Sequence, residues 1–149
     1  ENNIKRYKEN GIPLEEYGDR INSYEDALSN IKAMKEYAKN EMENNENSSS
    51  DAGFLEVIIN YNRSIEYIVK KIRFFNIEEV YMLVNEIEAE FKQERELLGD
   101  LLGKIIIAAK RTANGENLKK MINMKNSLRS NVNVRSILFN FFNTLQEIV

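Results

Sequence analysis

The stretch LLGDLLGKIIIAAK, residues 97–110, is the most apolar part of this chain of 149 residues. Asp100 and Lys104 interrupt an apolar run that is too short for a membrane, because a spanning helix needs about 20 apolar residues. On a helix with about 3.6 residues per turn, the apolar side chains cover one side, and Asp100 and Lys104 lie together on the other, spaced for an ion pair. The stretch therefore predicts an amphipathic core helix, with a contact between two copies of the chain as the alternative.

Gly99 and Gly103 lie one turn apart at the edge of this apolar face. Each costs about 1 kcal/mol relative to Ala in a helix interior, so we expect a compensating interaction, namely the close approach of a neighbouring backbone. Ile107 falls between the charged positions. We therefore expect this end of the helix to be contacted from more than one direction, by both halves of the C-terminal arm.

Apolar residues recur every three or four positions through most of the chain, which predicts helices. Each helix should bury one stripe of apolar residues, which we call its seam. Helix one is expected over residues 13–43, and it starts at Pro13 because proline suits the first helical position. The polar segment 44–53 predicts a loop. Helix two follows, with a seam over residues 54–75.

Polar residues mark the expected boundaries of the later helices. Asn76 and the Glu three residues after it resemble a capping box, so a third helix should begin there. Asn114-Gly115 should end that helix, because Gly is favoured just after a helix C-terminus. A fourth helix follows, and the apolar spacing breaks near Asn131 and Asn133, where we expect a kink or a new cap and a short fifth helix.

Long helices with short connections predict an all-α fold. The expected architecture is an antiparallel four-helix-type bundle with a broken C-terminal arm, about five helices in all. Residues 1–11 are polar and predict an N-terminal tether. Residues 12–149 predict a single helical bundle domain, since the length suits one domain.

Residue types that most catalytic sites require are missing from the chain. It contains no Cys and no His, which excludes zinc sites and nucleophiles activated by His. No glycine-rich phosphate-binding motif is present. We therefore expect no catalytic residue, no metal site, no cofactor and no enzyme activity.

Five acidic residues lie close together in the expected third helix: Glu86, Glu88, Glu90, Glu94 and Glu96. A carboxylate metal site or acid–base site is one interpretation. The favoured interpretation is a solvated helix face, because Lys92 and Arg95 lie among the acids. Glu94 occupies a position where the seam requires an apolar residue, so it either pairs with a cation across the bundle or marks a point where helices separate.

Positive charge is concentrated in residues 104–135, which carry eight basic side chains and one acid, whereas residues 1–103 have a net charge of −9. The candidate partner-binding residues are Lys104, Lys110, Arg111, Lys119, Lys120, Lys125, Arg129 and Arg135. Such a segment suits an acidic protein, a glycosaminoglycan or nucleic acid. The favoured alternative is that it packs beside the acidic helices of the same chain. No aromatic residue is interleaved with the basic ones, which argues against single-stranded nucleic acid.

The chain as a whole resembles the helical surface lipoproteins of Borrelia-type spirochaetes. The resemblance is carried by the polar lead ENNIKRYKEN, the seams of residues 14–75 and 80–148, the absence of Cys and His, and a composition rich in Asn, Ile, Lys and Tyr. It implies an outer-membrane virulence protein that is lipid-anchored upstream of Glu1, binds host molecules and has no enzyme activity.

The leading hypothesis is a non-catalytic helical interaction module on a microbial cell surface. Its partner would be a host protein or a polyanion, the membrane would be reached only through an upstream lipid anchor, and a homodimer is an open alternative. The second hypothesis is a cytoplasmic adaptor or regulator that binds an acidic partner or nucleic acid through residues 104–135. An enzyme that uses carboxylates is the third and least favoured.

Overall fold

The computed structural model describes residues 21, 23–44, 52–111, 113–130 and 133–149. Within these ranges the regular structure is helical and contains no β-strand, which confirms the all-α bundle class. The chain divides into two compact units, Glu1–Ser64 and Ile65–Val149, and each is described by itself. The predicted tether, residues 1–11, lies outside the described residues, and a single domain over residues 12–149 stays a prediction.

Helix α1 of the first unit, Tyr24–Asn44, begins later than the sequence predicts. Ser23 precedes it and acts as its cap, because the Ser23 hydroxyl oxygen accepts a hydrogen bond from the Asp26 backbone N–H at 3.1 Å. Ile21 and Ser23 are not helical. A continuous helix over residues 13–43 is therefore wrong, while the predicted start at Pro13 lies outside the described residues.

Helix α2, Ala52–Lys71, supplies the polar contact that the first unit buries. Ser64 is fully buried, and its hydroxyl donates to the Asn60 carbonyl at 2.7 Å. The same hydroxyl accepts a hydrogen bond from the Asn30 side-chain amide of α1 at 3.1 Å. The buried Ser64 is thus satisfied within its own helix and across to α1, as a buried hydroxyl requires.

The boundary after α2 agrees with the sequence analysis. A 3₁₀ turn, Ile72–Phe74, leads to Asn76, and helix α3 follows over Ile77–Phe91. The Asn76 side chain accepts from the Glu79 backbone N–H at 2.9 Å, and the Glu79 carboxylate accepts from the Asn76 backbone N–H at 3.0 Å. The predicted capping box is confirmed.

The predicted third helix is two helices, because α3 ends at Phe91 and helix α4 runs over Arg95–Ala109. Glu94 has a non-helical backbone, and its N–H donates to the Phe91 carbonyl at 2.9 Å. Residues 92–96 are all polar, so a continued helix would have nothing to bury there. A continuous third helix is therefore wrong, and Glu94 lies at the break between α3 and α4.

Asn caps begin the last two helices, α5 (Gly115–Ser127) and α6 (Val134–Ile148). The Asn114 side chain accepts from the Asn117 backbone N–H at 2.9 Å, so Asn114-Gly115 begins α5 instead of ending α4 as predicted. Asn is a preferred residue at the N-cap of a helix, and here its capping hydrogen bond sets the boundary. The predicted break near Asn133 is confirmed, since its side chain accepts from the Ser136 N–H at 3.2 Å.

The core of the second unit forms around α6, which packs against α3 and α5, while α4 packs against α5. Helices α3 and α6 run antiparallel, because Asn85 contacts Arg135 near the start of α6, whereas Tyr81, earlier in α3, contacts Phe139 further along α6. Gln146 ties the C-terminal end of α6 to the turn before α3, and its side-chain amide donates to the Ile72 carbonyl at 3.0 Å and the Phe75 carbonyl at 2.6 Å. The fully buried residues include Leu83, Ile87, Leu98, Leu101, Leu102, Ile105, Met121, Phe141 and Phe142.

The stretch 97–110 is core, as predicted. Its buried residues are Leu97, Leu98, Leu101, Leu102, Ile105, Ile106 and Ala109. Among the helices that the structure describes, none is both long enough and apolar enough to span a bilayer. The predicted ion pair between Asp100 and Lys104 does not form among these residues, so both charges on the outer side of α4 remain available.

We expected a neighbouring backbone to approach closely at the two glycines of α4, and this expectation is wrong. A Cβ built at Gly99 would meet nothing within 4 Å, and one at Gly103 would meet the Lys125 side chain at 3.4 Å, not a backbone. Helix α5 therefore presents the Lys125 side chain to this side of α4. Ile107 is 63% exposed, so the expectation that this end of the helix is covered from several directions is also wrong.

Candidate interaction surface

The eight basic residues of segment 104–135 are spread over three helices of the second unit and the turns beside them. Lys104, Lys110 and Arg111 lie at the end of α4, Lys119, Lys120 and Lys125 lie in α5, and Arg129 and Arg135 lie after α5 and in α6. All except the half-buried Lys125 are exposed. Within the described ranges none of the eight forms an ion pair, so their charge is available to a partner.

The structure does not gather these eight side chains on one face. Neighbouring residues in a helix point about 100° apart, so Lys119 and Lys120 diverge. Arg135 hydrogen-bonds the Asn85 side chain of α3, away from the others. Lys125 and Arg129 are brought together, because both line the same groove between α4 and α5. A single continuous basic patch is therefore not what the fold builds.

The acidic cluster is divided by the break between α3 and α4. Glu86 and Glu96 are exposed, and Glu88, Glu90 and Glu94 are half-buried. In the part of the chain that the structure describes, no group of three or more acidic side chains is placed to hold a metal ion. The five acids are therefore divided between two helices, and their interpretation as a solvated helix face stays a prediction.

An exposed apolar surface lies where α3 and α6 pack side by side. The rings of Tyr81 and Phe139 stack with their centroids 4.8 Å apart, although Tyr81 is 49% exposed. Ile77, one helical turn before Tyr81, is also exposed. We call these three residues, Ile77, Tyr81 and Phe139, the aromatic surface. Met82 and Phe74 are exposed close by in sequence, and the Arg73 guanidinium lies 5.0 Å from the Phe74 ring centroid.

A charged groove with a volume of about 440 Å³ lies between α4 and the C-terminal end of α5. Helix α4 contributes Glu96, Gly99 and Asp100, and α5 contributes Lys125 and Asn126. Arg95, Leu128 and Arg129 complete the lining. Arg95 also holds the end of α5, because its guanidinium donates to the Leu128 carbonyl at 3.2 Å and the Ser130 carbonyl at 2.8 Å.

Sequence reasoning missed both the aromatic surface and most of the groove. Tyr81 comes directly after a residue of the apolar seam of α3. A single aromatic residue next to such a seam is ordinarily interpreted as part of the core. Arg95, Glu96 and Asp100 were interpreted as an exposed helix face. The only available signal for the groove was the Gly99 and Gly103 pair, which implied that something unusual lies against α4.

The described residues thus define an all-α helical bundle protein with an exposed aromatic surface and a charged groove. The chain matches no protein-family model, no curated protein and no solved structure.

Proposed function

We propose that this chain is a non-catalytic helical interaction module, carried on a microbial cell surface by a lipid anchor and binding a host protein. The resemblance to spirochaete surface lipoproteins, with its polar lead, supports the location. The observation that carries the binding role is the aromatic surface. Apolar and aromatic side chains cost free energy when they face water, and clusters of them on a folded protein mark contact sites.

The composition of this surface favours a protein partner. Tyr, Phe, Met and Arg are enriched in protein–protein interfaces, and stacked aromatic side chains are frequent sources of binding energy. Tyr81 and Phe139 supply the stacked pair, and Arg135 lies one helical turn before Phe139. The hydrogen bond from Arg135 to Asn85 joins α6 to α3 on one side of the stacked pair, and Gln146 joins α6 to the turn before α3 on the other.

The surface location predicts that the folded protein is labelled on intact cells. The chain contains no Cys, so Asn140→Cys at an exposed position of α6 introduces a unique thiol. In the organism that produces the protein, a membrane-impermeant maleimide should label this variant equally before and after lysis. Labelling that appears only after lysis would remove the proposed location.

A matched control shows that the labelled molecules are folded. Ala109→Cys places the thiol at a fully buried position of α4. We expect this variant to react only after denaturation, on intact cells and in lysates alike. A buried thiol that reacts without denaturant would show that exposure of Asn140→Cys says nothing about the location of the native protein.

A second candidate function is an intracellular adaptor that binds a polyanion through segment 104–135, and the seven exposed basic side chains favour it. Binding to phosphates releases counterions, so affinity falls steeply with salt. We expect any binding to duplex DNA, measured by fluorescence anisotropy, to weaken at least about tenfold between about 50 and 200 mM salt, and Lys119→Glu to weaken it further. No binding at the lower salt concentration would eliminate the nucleic-acid version.

A further inference from the structure

We propose that the charged groove between α4 and α5 binds a small zwitterion, such as a free amino acid or a short peptide with both ends charged. Its carboxylate would lie against Lys125 and Arg129, and its ammonium group against Glu96 and Asp100. This site goes beyond the proposed binding of a protein partner and does not depend on it.

Apart from Arg95, whose guanidinium is bonded to the Leu128 and Ser130 carbonyls, the groove has two walls of opposite charge. Glu96 and Asp100 are four residues apart on α4, and Lys125 and Arg129 are four residues apart along α5 and the turn that follows it. Residues at this spacing lie on the same side of a helix. The volume, about 440 Å³, falls within the range of small-molecule sites. A ligand with one positive and one negative end matches this arrangement.

The two walls do not neutralise each other across the groove. Among the residues that the structure describes, Glu96, Asp100, Lys125 and Arg129 form neither an ion pair nor a side-chain hydrogen bond. Opposite charges on neighbouring helices ordinarily gain by pairing directly, at least weakly. Their separation leaves both sets of charges available to a ligand that bridges them.

Gly99 keeps the space between the walls open. A Cβ at this position would meet no protein atom within 4 Å, so packing against a neighbour does not require the glycine. Ala is the better helix former, so glycine here sacrifices stability. The added methyl group of an alanine would project into the groove that Gly99 lines, and the space for a ligand accounts for the glycine.

Arg95 keeps the α5 side of the groove in place. Its guanidinium bonds to the Leu128 and Ser130 carbonyls, which follow Lys125 and flank Arg129 in the chain. These are charge-assisted hydrogen bonds to carbonyls at the end of a helix, where backbone acceptors lack partners. The backbone that carries Arg129 is therefore held in place before a ligand enters, and a preorganised backbone loses less affinity to ordering.

Triglycine tests the proposal, because it carries both charges and no side chain. We expect titration with triglycine in the millimolar range to shift the backbone amide signals of Gly99 and Lys125 in ¹H–¹⁵N NMR spectra. Three matched probes lack one or both charges: N-acetyl-triglycine, triglycinamide and N-acetyl-triglycinamide. Each should bind at least about fivefold more weakly, since a charged hydrogen bond is lost. No shift with triglycine, or equal shifts with the doubly blocked peptide, would overturn the proposal.

Two alanine variants assign the binding to this groove. Gly99→Ala should raise the thermal midpoint of unfolding and weaken triglycine binding at least about tenfold, because its methyl group occupies ligand space. Gly115→Ala, at the start of α5, also meets nothing within 4 Å but does not line the groove, and it should bind as the wild type does. Unchanged binding by Gly99→Ala, or equal losses in both variants, would overturn the assignment.

Asp100→Asn separates the charge of the groove from its shape. The substitution preserves the size of the side chain and removes one negative charge from the α4 wall. We expect it to weaken triglycine binding and to leave the already weaker binding of N-acetyl-triglycine unchanged, because that probe has no ammonium group to lose a partner. Equal weakening of both probes would contradict the assigned orientation of the ligand.

Discussion

Replacing Phe141 with Ala should lower the free energy of unfolding by about 3–5 kcal/mol, the usual cost of truncating a buried Phe. Phe141 is fully buried in α6, and its ring meets that of Phe142 edge to face with centroids 5.4 Å apart. The substitution removes that contact and leaves a cavity, and the packed helices around the cavity can fill it only by shifting. Urea denaturation followed by far-UV circular dichroism measures the change.

Phe74→Ala is the matched control, because it removes the same ring from a position that is 72% exposed. We expect the free energy of unfolding to change by no more than about 0.5 kcal/mol, as for most surface substitutions. A small loss in Phe141→Ala, comparable to that of the control, would show that α6 is not the centre of the second unit.

Helix α4, which contains most of the apolar stretch 97–110, should be equally sensitive to truncation of its buried side chains. Leu102→Ala should lower the free energy of unfolding by about 2–5 kcal/mol, because Leu102 is fully buried in α4. The same denaturation experiment applies. The loss should appear at low and high salt alike, because it comes from apolar packing and not from charge.

Ile107→Ala tests the opposite side of the same helix. Ile107 is 63% exposed, and Ala is the better helix former, so this substitution should be neutral or slightly stabilising. If Ile107→Ala destabilised the protein as much as Leu102→Ala, the outer side of α4 would be covered by another part of the protein or by a second copy. The interpretation of residues 97–110 as an amphipathic core helix would then be incomplete.

The sequence predicted the buried faces of the helices well, because burial follows the spacing of apolar residues. Leu98, Leu101, Leu102 and Ile105 recur every three or four positions, and each is buried. The Asn76 capping box was also predictable, since both of its hydrogen bonds depend on residues three apart in the chain. Local periodicity and local hydrogen bonding need no knowledge of distant neighbours.

Helix boundaries were less predictable where two local signals compete. Gly115 suggested the end of a helix, and Asn114 equally suited the beginning of one. The structure follows the Asn cap, since the chain must turn between Ala109 and Asn114 for α4 and α5 to pack together. The end of α3 was not predicted, because one acidic residue at Glu94 in an apolar pattern does not show whether the helix continues, bends or ends.

The candidate interaction sites could not be predicted, because they depend on which helices become neighbours. Tyr81 and Phe139 are far apart in the chain and meet only when α3 and α6 pack side by side. Likewise, Asp100 and Lys125 share a groove only because α4 and α5 are paired. The sequence identified the basic segment 104–135, but the fold turns its side chains in several directions.

Amide hydrogen exchange tests most directly whether buried helical seams hold the second unit together. Amides in an exposed or frayed helix exchange readily, whereas those in a packed core exchange only when the unit unfolds. We expect the backbone amides of Leu101, Leu102, Phe141 and Phe142 to be the slowest to exchange, with one common free energy of opening. Exchange of these four amides as fast as in an unstructured peptide would contradict it.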